Sequence, residues 1–248
     1  MEILVLAFFA IGYLVLAGAD IGVGMVLPYL GRTPGERREV LAAIAPFFLG
    51  NEVWLVAAGG MLAGLFPRLE GELLAGNPGV VVALLLSWVL RDAGLWLRSR
   101  LAARAWQTWW DGVIVAGSWG LALSWGSLLS GVIGIAGPPA LVPAAVLAAL
   151  FAAHGLAFAA LRLRGTLRHR AAVLSGHSGG TGEGRTFALT AIALAVVGVL
   201  TGTRLPLEAG SSGSWLTPVI LALLPVLVAA QAWVWWTFRH RVTGPSYL

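Results

Sequence analysis

Seven stretches of mostly apolar residues follow one another along the chain, and each is long enough to cross a lipid bilayer as a helix. About 20 residues at 1.5 Å per residue span the roughly 30 Å of hydrocarbon in a membrane. Short segments rich in glycine, proline and arginine separate the stretches and are typical of loops. The pattern predicts transmembrane helices at about Ile3–Leu30, Val40–Phe66, Pro78–Leu97, Trp110–Ile135, Pro139–Leu161, Thr186–Thr203 and Leu216–Phe238.

The composition also indicates a membrane protein. Of the 248 residues, 58% are hydrophobic and 11% are charged, and the mean hydropathy is +0.86. A single soluble core could not bury this much apolar surface, so lipid must be the solvent. We therefore expect an all-α polytopic protein with one integral membrane domain over residues 1–248. Residues 1–135 are expected to form a first helical bundle and residues 136–248 a second, shortened bundle.

Arginine is distributed unevenly between the two ends of the predicted helices. The segments after helices one, three and five and the C-terminal tail share one side of the membrane, and the opposite side holds only Arg68 and Arg204. The arginines of the first side are Arg32, Arg37, Arg38, Arg98, Arg100, Arg104, Arg162, Arg164, Arg168, Arg170, Arg185, Arg239 and Arg241. Cytoplasmic loops carry such an excess. We expect a multi-pass membrane protein with its N-terminus outside and its C-terminus in the cytoplasm. The net charge of +5 then reflects topology and anionic lipid contact, and nucleic acid is not expected as a partner.

Several polar residues fall within the predicted spans, where an unpaired charge costs from about 2.5 to more than 10 kcal/mol. These residues are Asp20, Asn51, Glu52, Arg91, Asp92, Asp111 and His154. Asp20 and Arg91 are both expected in the cytoplasmic half, where an ion pair would lower the cost of burying each. The alternative interpretation is that the same residues hold water along a path for protons.

Glu52 and His154 each have two further interpretations. At its expected depth Glu52 could be protonated or hydrated and relay protons, or it could be a neutral hydrogen-bonding residue between helices. His154 is the only histidine in a predicted span, cysteine is absent, and the three methionines offer no partner for it as an axial haem ligand. We expect His154 to form hydrogen bonds, and we expect this chain to hold no haem, no metal and no catalytic residue.

A series of short motifs lies in order between roughly residues 10 and 172. The segments are Ala17–Gly24, Gly31–Thr33, Glu36–Arg38, Ala45–Trp54, Leu90–Gly94, Trp106–Asp111, Gly126–Gly131 and His154–Arg168. In order and spacing they resemble subunit II of the cytochrome bd-type quinol oxidases. That family commonly reads D-G-F-D-x-G-V-G, G-R-T/N, E-R-R, A-P-H-W-D-G-N-Q-V-W, F-R-P-V-G, W-R-x-x-W-D, G-N-L-L-x-G and H-G-A-x-x-L-x-x-R-T. Asp20 corresponds to the second aspartate of D-G-F-D, and Arg91 corresponds to the arginine of F-R-P.

The resemblance implies an accessory role in a quinol:oxygen oxidoreductase of the bacterial inner membrane. In that family subunit II ligates no haem, whereas a partner, subunit I, carries haem b558, haem b595 and haem d and oxidises quinol. The first four helices are then expected to form a bd-oxidase-like four-helix bundle that packs against the haem-bearing subunit I. A small single-helix subunit and contacts with lipid or quinone are further partners that the resemblance implies.

The sequence departs from the family pattern where protons are thought to enter. The first aspartate of D-G-F-D is Ala17, and the family's H-W-D is replaced by Phe47, Phe48 and Leu49. The family's glutamine is Glu52, which lies about 60° round the helix from Leu49, so a carboxylate has moved by one turn. Family members usually have eight helices, whereas seven are predicted here.

Three hypotheses of different class follow. The first is a haem-free accessory subunit that supports the haem subunit and helps to deliver protons. The second is a stand-alone channel or transporter that uses Asp20, Glu52, Arg91 and Asp92 as a polar track, although no internal repeat is evident. The third is a divergent structural paralogue that has no role in proton transfer.

Overall fold

The computed structural model describes residues 1–176, 182–206, 216–242 and 244, and these ranges are helical apart from turns and short connections. A single 3-10 turn, Pro138–Ala140, precedes the eighth α-helix. The helices are α1 (Glu2–Met25), α2 (Leu27–Leu30), α3 (Pro34–Ile44), α4 (Phe48–Leu65), α5 (Pro67–Gly76), α6 (Pro78–Leu97), α7 (Arg104–Val132), α8 (Leu141–Arg162), α9 (Gly165–Leu174), α10 (Glu183–Gly202) and α11 (Leu216–Thr237).

In the part of the chain that the structure describes, seven helices are long and apolar enough to span a membrane: α1, α4, α6, α7, α8 with its preceding turn, α10 and α11. This finding confirms the all-α polytopic class and the number of spans that the sequence predicts. The structure adds short helices α5 and α9 in segments that the sequence assigns to loops. The outer surfaces of the spans are apolar, with side chains such as Val56, Val89 and Val226 more than half exposed.

Proline interrupts each of the first two predicted helices. The prediction of one continuous helix in each of these segments was therefore wrong. The segment Ile3–Leu30 is broken after Met25 near Pro28, and the segment Val40–Phe66 is broken at a turn that contains Pro46. Proline has no N–H to donate to the carbonyl four residues earlier, and its ring clashes with that carbonyl. As a result the second span begins at Phe48, and Asn51 and Glu52 lie at its start.

Helix α1 lies at the centre of the bundle. It packs against α4, α7, α8 and α10, while α6 runs along α7 and α8 lies against α1, α7 and α10. The closest crossing joins Gly22 of α1 to Gly155 of α8, where a Cβ on Gly22 would lie 1.9 Å from the carbonyl oxygen of Phe151. Small residues allow this approach where lipid provides no hydrophobic drive. The division into bundles of residues 1–135 and 136–248 stays a prediction, since α8 packs on both parts.

Candidate functional site

The core of the site is a buried ion pair between Asp20 of α1 and Arg91 of α6. Nη2 of Arg91 donates to Oδ1 of Asp20 at 2.5 Å, and each residue is only 2% exposed. The pairing of Asp20 with Arg91, predicted because each alone carries the penalty of a charge inside the membrane, is confirmed. Each side chain supplies the counter-charge that the other needs when it leaves water.

Two further carboxylates face the other terminal nitrogen of Arg91. Nη1 lies 3.1 Å from Oδ1 of Asp92 and 3.6 Å from Oε1 of Glu52. The Glu52 and Asp92 side chains are 14% and 21% exposed, so they lie nearer the outer surface of α4 and α6 than Asp20 does. Oε1 of Glu52 accepts no hydrogen bond from any described residue. We call Asp20, Glu52, Arg91 and Asp92 the Arg91 cluster.

Asn51 connects this cluster to the last helix. Its Nδ2 donates to Oδ2 of Asp20 at 2.7 Å and to the carbonyl of Leu16 at 3.0 Å. Its Oδ1 accepts a hydrogen bond of 3.0 Å from Nε2 of Gln231 in α11. Sequence reasoning missed Gln231. The signal was present, because an amide interrupts an otherwise apolar run in the last span.

Asp111 belongs to a different group of charges. It is paired with Arg98, which is buried, and its Oδ2 lies 3.2 Å from Nη1 of Arg37. Arg98 also donates to the carbonyl of Pro34 at 3.1 Å. The structure therefore places Asp111 in an anchor that joins the start of α3, the end of α6 and the first turns of α7, and not in the Arg91 cluster.

His154 is held by two hydrogen bonds and by a stacked ring. Its Nδ1 lies 2.7 Å from Oγ1 of Thr190 and its Nε2 lies 3.0 Å from the carbonyl oxygen of Val15, while the ring of Phe187 stacks at 4.5 Å. A carbonyl oxygen only accepts, so Nε2 carries the hydrogen of that bond. His154 is a hydrogen-bonding residue between α1, α8 and α10, as expected, and both of its nitrogens are engaged.

Ion pairs join the arginine-rich segments to one another. Glu36 accepts hydrogen bonds of 2.8 and 2.9 Å from Arg170, and Glu183 accepts bonds of 2.7 Å from Arg168 and 3.0 Å from Arg241. The hydrogen bonds from Arg170 hold the pKa of the Glu36 carboxyl at about 2, well below its ordinary value of 4.5. Together with the Asp111 anchor, these contacts form what we call the arginine-rich end. The segments predicted to share one side of the membrane do contact each other.

The two departures from the family pattern lie in different surroundings. Ala17 is buried in α1, whereas Leu49 is 49% exposed on the outer side of α4. Glu52 is one turn beyond Leu49 and directs its carboxylate toward Arg91 instead of straight outward. Within the described ranges no three His, Asp or Glu side chains converge in the manner of a metal site.

Comparison with known proteins supports the motif-based resemblance. The family described as cytochrome bd terminal oxidase subunit II matches residues 1–244. The cytochrome bd-I ubiquinol oxidase subunit 2 of Escherichia coli (strain K12) is 36% identical over 126 residues, which cover 49% of this chain and 33% of that protein. The cytochrome bd ubiquinol oxidase subunit 2 of Bacillus subtilis (strain 168) is 33% identical over 115 residues, which cover 46% of this chain and 34% of the relative.

A probable cytochrome oxidase subunit 2 of Haemophilus influenzae is 35% identical over 126 residues, 49% of this chain and 33% of that protein. The matches thus span about a third of the length of these relatives. The family match, in contrast, extends over nearly the whole chain, including the last span. The chain is a multi-pass membrane protein that belongs to the cytochrome bd terminal oxidase subunit II family.

Proposed function

We propose that this chain is the haem-free accessory subunit of a cytochrome bd-type quinol:oxygen oxidoreductase, and that it packs in the membrane against a haem-bearing subunit I. Family membership supports the partnership. The hydrogen bonds on both nitrogens of His154, the one histidine within a span, support the proposal that this residue holds no haem, because an axial ligand must present a free nitrogen to the iron. Haem b558, haem b595 and haem d, and the oxidation of quinol, are assigned to subunit I.

The surface for that partner is assigned to the outer faces of α4 and α6. Leu49, Val53 and Val56 form an exposed stripe on α4, and Leu85 and Val89 form one on α6. The Glu52 and Asp92 side chains are partly exposed between these stripes, where hydrocarbon would not solvate their charges. A protein partner that covers this face would supply polar groups and water to them.

The observation that carries a proton role is the charge balance of the Arg91 cluster. One guanidinium faces three carboxylates, so the cluster holds an excess of negative charge unless it takes up protons. Such an excess is costly in a medium of low dielectric constant. Asp20 is fixed by Arg91 and Asn51, whereas Glu52 has an oxygen free of hydrogen bonds and lies nearer the surface.

In this proposal Glu52 accepts a proton from water and passes it toward subunit I, and Asp92 stands beside it on the neighbouring helix. Glu52 thereby replaces the aspartate that the family carries at the position of Leu49. We place the arginine-rich end in the cytoplasm, with the N-terminus outside, because loops with an arginine excess remain on that side. Protons for oxygen reduction would then enter from the cytoplasmic face.

Co-purification tests the partnership. The tagged chain in detergent should bring down an integral membrane protein with haem absorption in the red, and the chain freed of that partner should contain no haem. A stoichiometric haem on the isolated chain would contradict the assignment. A preparation that never holds a haem protein would favour a stand-alone channel or transporter.

Glu52→Gln tests the proton role, because the amide keeps the shape and hydrogen bonding of the side chain but has no ionisable proton. In an active complex we expect slower proton uptake and slower turnover with unchanged assembly and haem content. Glu72→Gln is the matched control, since Glu72 is exposed on α5 beside Arg68 and outside the spans. Unchanged uptake in Glu52→Gln would leave this chain a structural role only.

A further inference from the structure

Helix α11 is attached to the bundle by little buried surface. Gln231 is the one buried residue of α11, whose other residues are half-buried or exposed. Near the two ends of the helix, Thr217 donates to Glu2 at 3.1 Å and Arg241 donates to Glu183 at 3.0 Å. The apolar part of the contact includes Trp235, whose ring lies 5.2 Å from that of Phe47, and a few half-buried leucines such as Leu227. Apolar contacts alone give a helix in lipid little preference for one depth or rotation, because lipid tails compete for the same surface.

Gln231 takes part in a chain of hydrogen bonds that runs across three helices. Nε1 of Trp54 donates to Oε1 of Gln231 at 3.2 Å, and Nε2 of Gln231 donates to Oδ1 of Asn51 at 3.0 Å. Nδ2 of Asn51 then donates to Oδ2 of Asp20 at 2.7 Å and to the carbonyl of Leu16 at 3.0 Å. In this series of hydrogen bonds the side-chain amide oxygens of Gln231 and Asn51 accept, and their amide nitrogens donate.

The groups at the two ends of this series of hydrogen bonds permit only one orientation of the two side-chain amides. The indole of Trp54 can only donate, so it must meet the oxygen of Gln231 and leave the nitrogen facing Asn51. At the other end the Asp20 carboxylate paired with Arg91 and the carbonyl of Leu16 only accept, so they require the nitrogen of Asn51. Reversing either amide would place like groups in contact and leave buried polar atoms unsatisfied, which is costly in a membrane interior.

We propose that Gln231 determines the position of α11 in the bundle, and that it does so through this one-directional hydrogen-bond chain to Asp20. The same chain makes Gln231 a positioning residue for the Arg91 cluster, because it turns Asn51 so that two N–H groups face Asp20 and Leu16. A single buried polar residue fixes the register of helices in a comparable way in coiled coils. This inference does not depend on the proposed function, since it concerns the docking of a helix within one chain.

Spin-label distance measurements can test the docking directly, because the chain contains no cysteine. Labels on cysteines placed at Ile192 in α10 and Val226 in α11 would lie at exposed positions. Gln231→Met keeps the length of the side chain but removes both hydrogen bonds. We expect the parent chain to give a narrow distance distribution and Gln231→Met to show a second, displaced population. The loss of two interhelical hydrogen bonds of about 0.6 kcal/mol each should raise the ratio of displaced to docked helix roughly five- to tenfold.

Two comparisons separate hydrogen bonding from packing. Leu227→Met makes a similar change at an apolar contact of the same helix and should leave the distribution narrow. Gln231→Glu should resemble Gln231→Met at mildly alkaline pH, where the introduced carboxylate only accepts, and should become narrow at mildly acidic pH, where a protonated carboxyl can donate to Asn51. The groups of the Arg91 cluster, Asp20, Glu52, Arg91 and Asp92, are the same in both variants, so comparison at equal pH removes their contribution.

A narrow distribution in Gln231→Met would overturn the proposal, because the remaining contacts of α11 would then hold the helix without Gln231. Equal broadening of Gln231→Glu and Gln231→Met at both pH values would also overturn it, because a donor at position 231 would not matter. Acid recovery in Gln231→Glu but not in Gln231→Met is the supporting result. All measurements use the full chain in detergent, with whichever partner co-purifies.

Discussion

Asp20 and Arg91 lie 71 positions apart in the sequence and 2.5 Å apart in the structure, in two helices that each cross the membrane. The pair is fully buried, and Asn51 occupies the oxygen of Asp20 that Arg91 leaves free. Every other charge of the cluster is arranged around this guanidinium. The pair therefore connects the packing of α1 against its neighbours with the electrostatics that the proton proposal requires.

The first prediction concerns the loss of one partner. Arg91→Gln leaves three carboxylates without their counter-charge, and we expect it to lower the free energy of unfolding by about 3–5 kcal/mol. Asp20→Asn should cost less, because Arg91 keeps Asp92 and Glu52 as counter-charges. The double variant Asp20→Asn/Arg91→Gln should lose less than the sum, because each single variant already removes the same ion pair between Asp20 and Arg91. Thermal unfolding of the detergent-solubilised chain measures the three values. Additive losses would show that the two side chains do not stabilise each other.

The pairing of Asp20 with Arg91 could be predicted from the sequence because a charge in lipid has few stable arrangements. The anchor of Arg98 on Asp111 could not, since Arg98 follows a span and counts there only as one more cytoplasmic arginine. It is nevertheless buried, because α3 and the first turns of α7 close over it. Topology rules describe on which side a loop lies, but they carry no information about how loops pack.

The second prediction compares the two arginines that bind Asp111. The side chain of Arg98 is 1% exposed and that of Arg37 is 23% exposed, so water already screens the ion pair between Arg37 and Asp111. We expect Arg98→Met to destabilise the protein by about 3 kcal/mol or more, and Arg37→Met by less than about 1 kcal/mol. The same unfolding measurement distinguishes them. Equal losses would mean that Asp111 is held by the two arginines alike.

Helix boundaries show a second limit of sequence reasoning. Pro46 lies within an apolar run, and hydropathy alone continues the helix through it. The structure ends α3 and restarts the chain as α4 at Phe48, which puts Glu52 close to the beginning of its span. Gln231 was missed for a related reason, since one amide does not disturb a hydropathy window and its partners lie 177 and 180 residues away.

The third prediction follows from the pKa of Glu36, which the hydrogen bonds from Arg170 lower from 4.5 to about 2. A carboxyl with a lower pKa in the folded state contributes stability above its unfolded value, and that stability is lost as the pH falls through the folded value. We therefore expect the chain to lose stability between about pH 4.5 and pH 2, and Glu36→Gln to lose less over that range.

Unfolding midpoints measured at several pH values in detergent give this comparison. Glu39→Gln on the same helix is the control, because Glu39 forms no ion pair with a described residue. Its pH profile should follow that of the parent chain. A parallel profile for Glu36→Gln would show that the pair with Arg170 does not contribute to acid sensitivity.

The last prediction asks whether the position of the carboxylate, rather than its presence, matters for proton uptake. Leu49 lies on the exposed stripe of α4, one turn before Glu52, at the position where the family carries an aspartate. If a proton enters along the face covered by subunit I, a carboxyl at position 49 can serve in place of Glu52. In an active complex Glu52→Gln should slow proton uptake about a hundredfold, the lower range for loss of a general acid or base.

Leu49→Asp in that background should then recover most of the rate. Val56→Asp is the matched control, because Val56 lies on the same stripe but two turns from Leu49, on the opposite side of Glu52 along the helix. It adds a carboxyl of equal chemistry at another depth and should not restore uptake. Recovery by both variants would show that any carboxyl on this face is sufficient, and recovery by neither would show that position 52 is not a relocated form of the family's aspartate. Recovery by Leu49→Asp alone is the result we expect, since proton transfer requires hydrogen-bond reach to the next carrier.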